Sequence, residues 1–178
     1  MSYSKSALAG VLAGLLSGIV IGLLYVVVLS SFVAELTVEL AKLISSAYDV
    51  PYEIIYNQLS GTLSIANIIA PLVYPIQYAL IGAVFGLLQH YLMTRLGTRL
   101  VTSILLTGVI FTLLLGFIPL IAVHYFGGPL LTVVVDKMSP SIYLYSSLPG
   151  LLYTLFLGVV RYVRGPWSKA LEAKPTTY

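Results

Sequence analysis

Four stretches of this chain, at about residues 7–30, 71–94, 101–124 and 141–164, run apolar for long distances, and their only Lys or Arg residues are Arg161 and Arg164 near the end of the fourth. A helix needs about 20 predominantly apolar residues to cross a hydrocarbon core roughly 30 Å thick. Lipid offers no partner to an exposed N–H or C=O, so a chain that crosses it must satisfy its backbone internally, as a helix does. Composition removes the soluble alternative. Only 8% of the 178 residues are charged, against about 25% in typical soluble domains. The reading is an all-α integral membrane protein: a four-transmembrane-helix bundle with short outer amphipathic or helical segments. It forms one membrane domain over 1–178, with an outer segment at 31–70 and a tail at 165–178. The first run is expected to be retained rather than cleaved. Its apolar stretch exceeds the 7–15 residues or so of a signal-peptide core, and "SSFVAE" puts Phe32 where a cleavage site needs a small residue.

The charged residues segregate. Lys5, Arg95, Arg99, Arg161, Arg164, Lys169 and Lys174 fall on the side of the termini, opposed by Glu172 alone. Lys42 and Lys137 fall on the other side with Glu35, Glu39, Asp49, Glu53 and Asp136. Excess Lys and Arg mark the cytoplasmic side. The expected location is therefore a cell membrane, crossed several times, with both termini cytoplasmic. Arg161, Arg164 and Trp167 read as an interfacial anchor where the last span leaves the lipid. No basic run is long enough to suggest nucleic acid.

Beyond the first span, "SSFVAELTVELAKLISSAYDV" repeats its apolar residues at helical spacing, with Glu35, Glu39 and Lys42 on the opposite face. Either the first helix continues outward, or it breaks at Ser30-Ser31 and lies on the membrane surface. Without a strong breaker before Asp49, continuation is the expectation. Asp49 and Pro51 then read as a new helix start, with "PYEIIYNQLS" as a short helix ended by Gly61 and Thr62 or Ser64 capping the lead-in to the second span. The apolar centre of "GGPLLTVVVDKMSP" does not distinguish strand, turn or helix.

Within the first span, "GVLAGLLSGIVIG" places Gly10, Gly14, Gly18 and Gly22 at four-residue intervals. Each should weaken a helix by roughly 1 kcal/mol relative to Ala. Such a stripe suits close, right-handed packing of a second backbone, which must supply what hydrophobicity cannot between helices in lipid. Gly82 and Gly86 in the second span supply the matching small face.

Chemistry is harder to find. There is no cysteine, which removes disulfides and thiolate sites. His90 and His124 belong to opposite ends of their spans, so they cannot share one haem or metal. No acidic residue falls inside a span. Ser17 lacks the first glycine of a G-x-S-G nucleophile pattern, Leu15 standing there, and it lies on the glycine face. The expectation is no catalytic residue, no metal and no cofactor. The bend-prone positions Pro75, Pro119 and Pro149 coincide in depth with Tyr74, Gln77, Tyr78, His124, Tyr145, Ser146 and Tyr153. This concentration reads either as an aromatic belt or as an outward cavity for a small solute, a quinone-like amphiphile or another subunit's helix. The leading functional expectation is a non-catalytic subunit of a larger membrane assembly, with a respiratory or quinol-oxidising complex among the candidates. Its partners would be the bilayer and other membrane subunits or copies of itself. The alternative is a small homo-oligomeric channel or transporter.

Overall fold

The structure is a computed structural model that describes residues 2–128, 135, 141–163 and 165–171. Among these residues the chain is helical, with no strand. Helix α1 (Tyr3–Leu24) passes through a π segment (Tyr25–Leu29) directly into α2 (Ser30–Tyr48). The chain therefore takes the continuous path past Ser30. It turns at Asp49, whose φ of 54° is a left-handed conformation that Asp tolerates better than most residues. Pro51 caps the return helix α3 (Tyr52–Arg95). Helix α4 (Leu100–Thr112) runs through a second π segment (Leu113–Phe117) into α5 (Ile118–Phe126), and α6 (Ser141–Tyr162) and the short α7 (Ser168–Leu171) follow. Four helical stretches are long and apolar enough to cross a membrane: Tyr3–Val28, Tyr52–Arg95, Leu100–Phe126 and Ser141–Tyr162.

The expected break at Gly61 does not occur. Helix α3 continues for 44 residues through Gly61, Pro71 and Pro75, and Thr62, expected as a cap, instead donates its hydroxyl to the Gln58 carbonyl at 3.0 Å. A single helical glycine costs only about 1 kcal/mol. Packing against α2, which buries Thr37 and Ala41, outweighs that. The loop "GGPLLTVVVDKMSP" lies almost wholly outside the described residues.

The prolines are accommodated where the fold provides room. A proline ring crowds the carbonyl four residues earlier. For Pro119 that carbonyl belongs to Leu115, inside the π segment, where the turn is already widened. Pro71 and Pro75 lie beside glycines of α1. A Cβ built on Gly18 would stand 2.6 Å from the Cα of Pro75, and one on Gly22 would stand 3.1 Å from that of Pro71.

In the bundle, α1 contacts α3 and α6, while α4 contacts α6 and α3. The core between them consists of Ala9, Ala13, Phe85, Ile104, Phe111, Tyr153, Leu157 and Val160. Trp167 and Leu171 pack under this core, and α7 touches α1. The start of α1 and the end of the described chain thus share one end of the bundle.

Candidate functional site

The α1–α3 seam is built from backbone. Gly10 stands against the Gly82 carbonyl and the Cα of Gly86, Gly14 against the Tyr78 carbonyl, and Gly18 against Tyr74 and Pro75. A four-residue step along α1 is answered by a four-residue step back along α3. A second close seam, which sequence reasoning missed, joins α4 and the π segment that follows it to α6. Gly108 lies against the Thr154 side chain, Gly116 against the Ser146 carbonyl and Gly150 against the Thr112 side chain. The eight-residue spacing of Gly108 and Gly116 was the available signal.

These seams bring an inward polar set to the part of the bundle that holds the start of α1 and the end of the described chain. Tyr153 of α6 is 0% exposed. Its ring stacks on Phe111 at 4.6 Å between centroids, and its hydroxyl donates to the Gly82 carbonyl at 3.1 Å. Two turns further along α6, Arg161 donates from Nε at 3.1 Å and from Nη2 at 2.6 Å to one oxygen, Oε1 of Gln89. Gln89 is itself 0% exposed, and its Nε2 is buried with no hydrogen-bond partner. The adjacent His90 meets α1: Nδ1 lies 3.3 Å from the Ser6 hydroxyl, and the Tyr3 ring is tilted against the imidazole at 4.2 Å.

Arg161 therefore turns into the bundle, where the sequence reading put it at the lipid interface. Trp167 likewise packs under the core, its indole Nε1 buried without a partner. Arg164 lies outside the described residues. Gln89 was not singled out from sequence, although a Gln-His pair inside "GLLQHYLM" marks a helix face that cannot be spent on lipid. The pairing of Ser6 with His90 does not make a nucleophilic centre. Ser6 is 1% exposed and sits on the glycine seam, so a substrate has no approach to its oxygen.

Among the described residues, the seven grouped by depth divide between two grooves and the core. Tyr74 and Gln77 line a groove of about 200 Å³ together with Tyr25, Ala66, Ile69, Ala70 and Val73. His124 lines a different groove of about 240 Å³ with Phe117, Leu120, Ile121, Tyr125, Val135 and Tyr143. Tyr78 packs on Phe111 at 6.1 Å, beside the buried Tyr153. The Ser146 carbonyl is taken up by the Gly116 contact, and Tyr145 lines neither groove.

No protein-family model, curated protein or solved structure matches this chain.

Proposed function

We propose that this chain is a non-catalytic integral membrane subunit that packs within a larger membrane protein assembly, with both termini on the cytoplasmic side of the cell membrane. The outward face of α3 carries the reading. Its 44 residues extend about 66 Å, twice the hydrocarbon thickness of roughly 30 Å. Lipid that covers the Arg95 end leaves Ile54 and Ile65 beyond the acyl chains. Both are more than half exposed, as are Ile68, Leu72 and Ile76 between that region and the bundle. The exposed apolar strip from Ile65 through Ile68 and Leu72 to Ile76 marks an interaction surface, with Ile54 standing apart from it beyond the exposed polar residues Asn57, Gln58 and Thr62. The inward polar groups support the same reading, because Tyr153, Arg161 and Ser6 each join one helix to another.

A photoreactive amino acid placed at Ile54 and, separately, at Ile65 tests it in native membranes. The expected result is a discrete adduct with a larger membrane protein, which also co-purifies at fixed stoichiometry. A closed homo-oligomer that conducts ions or solute across liposomes would overturn the proposal in favour of the channel.

A further inference from the structure

The groove beside the start of the first π segment has features that packing alone does not require. Tyr25, the first residue of that segment, tilts against Tyr74 at 5.7 Å between ring centroids. The π segment satisfies itself locally: Ser30 and Ser31 donate to the carbonyls of Val26 and Val28 at 2.6 and 3.0 Å. Gln77 is different. It is exposed on the outward side of α3, within a helix apolar enough to cross a membrane, and beside the half-exposed aliphatic side chains Ile69 and Val73. It lies about 27 Å from Arg95 along the helix, at the outer edge of a hydrocarbon core roughly 30 Å thick, where its amide is open to a guest.

We propose that this groove binds a neutral, lipid-soluble ring bearing carbonyl acceptors, of the quinone type. The chemistry of the lining selects it. The lining residues Tyr25, Tyr74 and Gln77 carry two phenol hydroxyls and an amide NH₂, four donor hydrogens in all, which suits an acceptor-rich guest. No charged side chain lines the groove, so the guest is neutral. Its walls combine two aromatic rings with Ile69, Ala70 and Val73, and the exposed aliphatic residues Leu72 and Ile76 lie on the same stretch of α3. The volume of about 200 Å³ exceeds the roughly 150 Å³ of an apolar cavity that admits benzene, so one substituted six-membered ring fits. The site does not depend on the chain being an assembly subunit.

The test uses the full-length protein in lipid nanodiscs, illuminated with an arylazido benzoquinone carrying one isoprene unit. Label is expected on the α3 peptide bearing Val73 and Gln77 or at Tyr25. A non-photoreactive quinone with the same tail should compete it away. Gln77→Leu should weaken binding about tenfold, the loss expected of one good hydrogen bond, without lowering thermal stability. Val73→Trp, which fills the groove from an exposed position, should abolish labelling. Label spread evenly over outward residues such as Leu80 and Val84, indifferent to competitor and to Gln77→Leu, overturns the proposal. So does a Gln77→Cys variant that cross-links to a second copy equally well with quinone present, which assigns the groove to a neighbouring helix.

Discussion

Gln89 and Tyr153 are both fully buried, but they contribute in different ways. Tyr153 is chiefly an aromatic filler whose hydroxyl also reaches Gly82. Tyr153→Phe keeps the stack on Phe111 and loses one hydrogen bond, so it should cost only about 0.6 kcal/mol, the average measured for such bonds between membrane helices. Tyr153→Ala removes the ring and should cost about 3–5 kcal/mol. Gln89 instead accepts two bonds from a cation. Gln89→Leu is expected to cost about 1–2 kcal/mol, between the values for neutral membrane bonds and for bonds to charged groups. Adding Arg161→Leu should cost less than the two single changes summed, because both remove the same interaction. Thermal unfolding in detergent measures all five variants, the single Arg161→Leu included, and additivity of the Gln89 and Arg161 changes would show that the pair is not coupled.

Glycines at equal helical spacing divide into those the fold uses and those it does not. A Cβ at Gly14 collides with backbone of Tyr78, which cannot rotate away, whereas one at Gly61 meets nothing within 4 Å. Gly14→Ala should therefore destabilise by about 1–3 kcal/mol through overpacking. Gly61→Ala should stabilise the isolated protein by about 0.4–1 kcal/mol, by restricting the unfolded chain and improving helix propensity. Opposite signs in melting temperature check the pair, and a stabilising Gly14→Ala would refute the seam. The glycine stripe and its partner were legible because close packing demands small residues at a fixed interval on both helices. The length of α3 was not. Gly61, Pro71 and Pro75 are local breakers, and only the neighbouring α1 and α2 decide whether their cost is met. The polar centre was hidden for another reason. Sequence position fixes depth along a span, but the side a residue faces changes by 100° at each step. Gln77 and Tyr78 share a depth, yet one lines the outward groove and the other the aromatic core.

At the scale of the molecule, the uneven distribution of Lys and Arg sets the expected orientation, and the absence of cysteine makes it simple to check. Leu96 lies between α3 and α4, and Ala47 lies near the hairpin turn; both are exposed. A single cysteine at Ala47 should react with a membrane-impermeant thiol reagent in intact cells, while one at Leu96 should react only after permeabilisation. The reverse pattern overturns the orientation. The four helices long and apolar enough to cross a membrane were readable from apolar length alone, since each meets that requirement independently of the others. Their mutual arrangement depended on contacts between residues far apart in the chain, Gly82 with Tyr153 and Gln89 with Arg161 among them. The unbroken α3 also has a mechanical consequence. It is held by α1 from Gly86 to Pro71 and packed against α2 beyond that, so the two arms of this hairpin move as one stiff unit. From Pro71 to Tyr52 the arm measures about 28 Å at 1.5 Å per residue, so a tilt of about 5° at the seam would sweep the far tip by about 2.5 Å. Whatever pushes on the tip pushes, through the same unit, on the groove lined by Tyr25 and Tyr74 and on Gln89 beneath it.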